Sequence, residues 1–255
     1  MIIVEIGSNH RGSIELADKY IDNLIKTDVD GITFQIREPE FYHGRYKDLG
    51  RLTFDDYSHI KKKINDAGKK FGLALCSLNI KKYPSPDFIK ILSKDLSNKF
   101  FLTSISTIFK NVPIFLSTGM SDEIEIDEAI NLLKKNVDRS LIKIIHTCIS
   151  NEAKDVNLNA ISSLKDRFGN IVAFGNHCSN LNVIYASCAY QPTDYYFYVK
   201  HSWGSSWNSD SDHPDSLHAV YLYSVQDVCK NIKDITVAIG DGNKKKSKNN
   251  IKGQI

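Results

Sequence analysis

His177 and His201 each stand at the end of a short apolar run, 171–177 and 195–202. On neighbouring strands, two neutral imidazoles can hold a borderline divalent metal and leave coordination positions open for a substrate. A core histidine bonded to backbone is the opposing reading, and on these residues alone the two weigh equally. Asp212, in Ser209-Asp210-Ser211-Asp212-His213, follows the second run and could reach the same place, although an acid in such a segment is more often solvated. Lys90 lies inside the apolar run 88–92, where an unpaired ammonium is costly. A bound phosphate or carboxylate would satisfy it, and so would a structural carboxylate. Ser93 and Ser117 offer hydroxyls that could bind the same anion. Cys76, Cys148 and Cys178 also end apolar runs; ligand or nucleophile roles compete there with the default of small buried thiols.

Elements must bring these side chains together. Eight runs rich in Val, Ile, Leu and Phe recur: 2–7, 31–37, 72–77, 88–92, 113–119, 142–148, 171–177 and 195–202. Several show no polar alternation, as expected of parallel strands buried on both faces. Between most of them lie amphipathic segments with apolar residues three and four apart. One is 14–25, with Leu16, Tyr20, Leu24 and Ile25; another is 124–133, with Ile126, Ala129, Ile130 and Leu133. Eight strand–helix alternations predict an α/β fold, a single (β/α)₈ TIM barrel over residues 1–242. An open doubly wound sheet is the competing architecture, but it more often uses five to seven strands. The third crossover, 79–87, is expected to lack a normal helix because of Pro84 and Pro86. A last helix is expected over 217–231, followed by 235–239 and a basic, flexible tail at 243–255.

The order of the runs matters because a barrel gathers the C-terminal ends of its strands at one mouth, the usual place for an active site. Polar and small residues concentrate at those ends: Glu5 to His10, Gln35 and Arg37, Lys90 to Asp95, Ser117 to Met120, and His146 to Cys148. Gly175 to His177 and Lys200 to Ser202 complete the set.

Composition excludes several classes. The chain of 255 residues suits one α/β barrel, and 42% hydrophobic with 25% charged residues is a folded-domain balance, neither disordered nor membrane-like. A net charge of +3, much of it in Lys244, Lys245, Lys246, Lys248 and Lys252, is too small to argue for nucleic acid. The absence of any apolar run of about 18 residues predicts no membrane span. Met1-Ile2-Ile3-Val4-Glu5 reads as a strand and not as a signal peptide. Five cysteines, an odd number without a CxxC pair, argue against a disulfide scaffold. A cytoplasmic globular protein is expected.

Glu5-Ile6-Gly7-Ser8-Asn9-His10-Arg11-Gly12 resembles the opening "AEIGxNHNG" motif of sialic acid synthases. Phe34-Gln35 is similar to that family's "KFQ", and Pro113 to Met120 to its "PIILSTGM" strand. Asp155-Val156-Asn157-Leu158 is similar to "EDVNL", Val199-Lys200-His201 to "EKHFT", and Ala238 to Lys244 to the "LGSGxK" segment that closes the catalytic barrel. The matches come in family order and span nearly the whole chain. The resemblance implies that phosphoenolpyruvate is condensed with an N-acetylmannosamine-like amino sugar to a nonulosonic acid, with release of phosphate. It assigns His177 and His201 to a divalent metal, manganese foremost, with magnesium, cobalt or iron(II) as alternatives. Lys90, Ser93 and Ser117 would hold phosphoenolpyruvate. Glu5, Gln35, Asp95 and Asp212 would face the sugar, Glu5 and Asp212 as catalytic groups, with Asp95 in place of a usual Glu.

The departures count equally. Thr33 replaces the Lys of "KFQ", leaving Arg37 as the candidate substitute cation for phosphoenolpyruvate. Gly175-Asn176-His177 replaces "SDH", Cys76-Ser77-Leu78-Asn79 replaces "STPF", and Ile149 and Asn151 stand where the family has polar and Tyr-Pro residues. The family continues into an antifreeze-like C-terminal domain that supplies an arginine from the partner subunit. For this chain the expectation is a homodimer through the barrel, with a more open acceptor pocket or a separate protein supplying that domain. Two further readings stand beside the synthase: action on another aldehyde, and an inactive barrel used for binding. Thr33 and Gly175 favour these; the two histidines and Lys90 favour the synthase.

Overall fold

The computed structural model describes residues 1–37, 50–202 and 215–244. Its strands are β1 (Ile2–Gly7), β2 (Gly31–Ile36), β3 (Lys70–Leu75), β4 (Phe88–Ile91), β5 (Ile114–Ser117), β6 (Ile142–His146), β7 (Val172–Gly175) and β8 (Tyr195–Lys200). Each pairs in parallel with the next, and β8 pairs with β1 from Ile2↔Tyr195 to Glu5↔Tyr198, which closes the barrel. All eight expected runs are strands. A two-residue strand, β9 (Val220–Tyr221), adds to the end of β8 through Val199↔Val220 and Lys200↔Tyr221.

The outer layer contains α1 (Ile14–Leu24), α2 (Phe54–Asp66), α3 (Lys99–Ile108), α4 (Glu123–Leu133), α5 (Ala160–Phe168), α6 (Asn182–Ser187) and α7 (Val225–Ile239). Local chemistry starts several of them. The Ser13 hydroxyl accepts from the Leu16 amide, and the pairs Thr53/Asp56 and Asp122/Glu125 form capping boxes. No helix lies between β3 and β4, as Pro84 and Pro86 require.

The last helix corrects the sequence reading. It begins at Val225, not 217, and takes in 235–239. Val220 and Tyr221 are drawn into pairing with β8, so the helix starts only after them. Its buried stripe of Val225, Val228, Cys229 and Ile232 then continues to Gly240, whose φ of 66° ends it.

Side-chain parity divides the barrel wall. Val4, Ile6, Ile32, Phe34, Ile89, Ile91, Phe197 and Val199 face outward into the core shared with the helices. Ile3, Phe88, Phe115, Ile145, Ala173 and Tyr196 fill the inside. Gly72 allows this filling, since a Cβ there would stand 2.2 Å from the Phe88 ring. The next inward positions toward the strand ends are Glu5, Gln35, Lys90, Ser117, Gly175 and Tyr198. A slip of one residue would exchange the inward and outward sets.

Candidate active site

Three expected anion ligands meet where β4 and β5 end. The Ser93 and Ser117 hydroxyls lie 2.9 Å apart, and the Gly119 amide donates to Ser93 Oγ at 3.0 Å. Lys90 points inward beside them, 3% exposed, with Nζ 2.7 Å from Oε2 of the fully buried Glu5. The Tyr196 and Tyr198 rings flank that ammonium at 4.2 and 5.1 Å from their centroids. Between the alternatives that the sequence left open for Lys90, the structure displays the carboxylate partner. The other Glu5 oxygen, Oε1, is buried without a hydrogen-bond partner, so this carboxylate is only half satisfied.

Gln35 accepts from Arg37 at 2.9 Å. The Arg37 charge reaches Tyr198, Asp215 and Cys76. Asp95 is buried and paired with Lys94 at 2.7 Å. Thus Glu5, Gln35, Arg37, Lys90, Ser93, Asp95 and Ser117 occupy one end of the barrel. Burial pushes the Cys76 thiol up to about 11, which favours an inert thiol there.

The two histidines do not meet. His177 lines the mouth, with its ring 5.3 Å from Tyr198 and 4.5 Å from His218. His201 shares the outward parity of Phe197 and Val199, and its ring packs edge-on against Tyr20 of α1 at 5.5 Å. Burial and then the charge of Lys19, also on α1, lower its pKa. The wall of β8 therefore separates the imidazoles, and the expected His177/His201 pair does not fit one metal ion. Asp212 lies outside the described residues.

His218 and Asp215 were not anticipated. His218 Nδ1 is 3.4 Å from Asn151 Oδ1, and its Nε2 is 3.8 Å from Asp215 Oδ1. Burial, then the charges of Lys90 and Lys200, hold His218 down to about 4. Burial, with His218 and Lys90 adding to it, holds His177 down to about 2, so both rings are neutral near pH 7. Asp215 keeps 24% of its side chain exposed, yet its Oδ2 would stand 3.6 Å from a Cβ on Gly7. Burial and the Glu5 charge push it up to about 7.

A barrel mouth holding a lysine, a hydroxyl pair and several carboxyls fits many enzymes; comparison with known proteins narrows it. The NeuB family model matches residues 20–244. The chain belongs to the NeuB family. It is 30% identical to N,N'-diacetyllegionaminic acid synthase of Campylobacter jejuni subsp. jejuni over 97% of this chain and 80% of that protein. The solved N-acetylneuraminic acid synthetase from Leptospira borgpetersenii has the same fold, with a TM-score of 0.83 at 20% identity over 97% of this chain and 87% of that one. A truncated 3-deoxy-D-arabino-heptulosonate 7-phosphate synthase from Thermotoga maritima shares the barrel at 0.68 and 13%, over 94% and 87%.

Within this NeuB-family barrel, the departures cluster beside Lys90. The Thr33 hydroxyl is fully buried beside that of Tyr196. At Gly175 a Cβ would stand 2.6 Å from Ile145 Cγ2, so Ile145 and Thr147 occupy the space a larger residue would need. Lys90, Ser117, Thr147, His177, Tyr196 and Tyr198 line one closely packed pocket at this end. Counting alternate residues back from Lys200 marks both tyrosines as inward. Nothing comparable marks Asp215 and His218, which precede β9 without a strand period of their own.

Proposed function

We propose that this NeuB-family chain condenses phosphoenolpyruvate with the open-chain aldehyde of an N-acetylmannosamine-like sugar. C3 of phosphoenolpyruvate bonds to the aldehyde carbon, whose oxygen takes up a proton. Water adds at C2, and the C2–O bond to phosphate breaks, leaving a nine-carbon α-keto acid and inorganic phosphate. The observation that carries this reading is the anion cradle of Lys90, Ser93 and Ser117 beside Glu5. An incoming anionic group that takes Lys90 releases Glu5 Oε2 from its ion pair. The freed carboxylate can then accept a proton in the water-addition step. Arg37 stands in as a further cation for phosphoenolpyruvate, while Gln35 and Asp95 orient the acceptor, with Asp212 assigned to the same side by the family pattern.

The reading includes a divalent ion, manganese foremost, which would polarise the aldehyde oxygen, although the expected His177/His201 pair does not fit it. It also includes a homodimer through the barrel, for which light scattering at micromolar concentration is the check. The departures at Thr33 and Gly175 support one second reading, action on another, smaller aldehyde acceptor. The test is phosphate release from phosphoenolpyruvate with manganese and a panel of N-acetylamino sugars and shorter aldoses. Release that depends on an N-acetylamino sugar and disappears in Lys90→Ala is expected. Release only with shorter aldoses selects the second reading. Phosphoenolpyruvate binding by calorimetry, without release for any acceptor, would reduce the chain to a binding barrel.

A further inference from the structure

We infer that the Thr147 hydroxyl is a further ligand for the anion bound at Lys90, on the wall where position 175 carries no side chain. This rests on the proposed reading of that anion as phosphoenolpyruvate. In β6, Ile144 faces outward and Ile145 inward, the latter beside Phe115 and Tyr196. His146 follows on the outer face, where its Nε2 donates to the Val156 carbonyl at 2.9 Å. The alternation turns Thr147 back into the mouth, where it lines one pocket with Lys90, Ser117, His177 and Tyr198. Thr147 is 5% exposed, and its Oγ1 is buried without a hydrogen-bond partner. A hydroxyl held in that state calls for an incoming acceptor.

Two glycines set the direction of that hydroxyl. A Cβ on Gly119, beyond the end of β5, would stand 3.0 Å from Thr147 Cγ2 and 3.2 Å from Ser93 Oγ. A Cβ on Gly175, which ends β7, would stand 3.5 Å from Thr147 Oγ1. The methyl therefore packs toward the Ser93 side, and the hydroxyl faces the space that Gly175 leaves. Branching at Cβ makes this rotamer stiff. The adjacent threonine on β5 shows the contrast, for the Thr118 hydroxyl is committed to the Ile145 carbonyl at 3.0 Å. Thr147 Oγ1 has no such acceptor, and it can donate to an anionic oxygen, a stronger bond than one between neutral partners. Ser93 and Ser117 then hold the β4/β5 side of the anion, and Thr147 reaches it from the β6/β7 side.

Calorimetric titration with phosphoenolpyruvate compares the full chain with Thr147→Val, Thr147→Ser and Lys90→Ala, each checked by circular dichroism. Valine keeps the shape and drops the hydroxyl, whereas serine keeps the hydroxyl and drops the methyl. Affinity about tenfold or more weaker in Thr147→Val, and within about threefold of the unaltered chain in Thr147→Ser, is expected. Unchanged affinity in Thr147→Val, with binding lost in Lys90→Ala, would overturn the inference while keeping the phosphoenolpyruvate reading. Equal weakening in both Thr147 variants would also overturn it, since packing and not the hydroxyl would then be at work. No binding by the unaltered chain at millimolar phosphoenolpyruvate would remove both. Diffraction from unaltered crystals soaked in phosphoenolpyruvate decides independently of variant folding. Thr147 Oγ1 within ~3.0 Å of a ligand oxygen supports the assignment, and a ligand on Lys90 with that hydroxyl turned away overturns it.

Discussion

The β4/β5 side of the mouth and its β7/β8 side were read from the same kind of signal, yet only the first assembles as expected. On β4/β5, Lys90 and Ser117 both occupy inward positions, and Ser93 turns back to reach Ser117. On β7/β8, His177 points inward while His201 points through the wall at Tyr20. A motif in the right order fixes which strand a residue belongs to. Which wall it faces depends on parity to a single residue, because adjacent side chains in a strand point to opposite faces.

Cutting the Lys90–Glu5 pair is the strongest way to sharpen this contrast. Lys90→Met leaves a buried carboxylate without its cation, and an expected ~3–5 kcal/mol of stability is lost. Urea unfolding at pH 7 measures it. Adding Glu5→Leu should restore most of that loss, because an apolar pair replaces the ionic one. A single-variant cost below ~1 kcal/mol would mean that Glu5 finds water, and that the β4/β5 side is looser than its distances indicate.

The next test is on the β7 side, with a smaller expected effect. Gly175→Ala forces a Cβ to within 2.6 Å of Ile145 Cγ2, a branched atom that cannot swing away without a change of rotamer. Overpacking of this kind costs ~1–3 kcal/mol. Ile145→Ala removes the obstructing atom, so the double variant should cost less than the sum of the two singles. Strict additivity would show that β7 shifts to accept the methyl, and that the glycine is not what shapes this side.

These contrasts also show what the chain made legible. Eight apolar runs, the amphipathic segments between them and the Pro84/Pro86 break were sufficient for the barrel, since each is a local signal with a local cause. The anion side was legible because Lys90 is an ammonium in an apolar strand, a placement that demands a partner. His201 misled because its neighbours match a family motif, whereas the alternation Tyr196, Tyr198, Lys200 already placed it on the outer face. The start of α7 was misjudged because Val220 and Tyr221 are committed to β9 by a long-range pairing. Asp215 and His218 escaped for a similar reason. Only the closed barrel brings residues that follow β8 over His177, which ends β7.

The smallest expected effect concerns how the two sides are joined, through the charge of Glu5 acting on Asp215. Asp215 is raised to about 7 from an ordinary 3.8, chiefly by burial and then by Glu5. A carboxyl raised on folding contributes stability that is complete below about 3.8 and is lost as pH rises toward 7. His177 and His218, lowered from 6.5 to about 2 and about 4, have the opposite sign: their contribution is present above 6.5 and is lost as pH falls. Between pH 5 and 6 the terms therefore oppose, each changing stability by up to ~1.4 kcal/mol per pH unit. In the unaltered chain Asp215 offsets one histidine as the solution is acidified. Asp215→Asn removes that offset, so its unfolding free energy should fall more steeply from pH 6 to pH 5, by up to ~1.4 kcal/mol. Urea unfolding of both proteins at pH 5, 5.5 and 6 gives the two slopes. Parallel slopes would place an ionised Asp215 in the folded protein over this range. That result would separate it from Glu5 and leave the two sides of the mouth electrostatically independent.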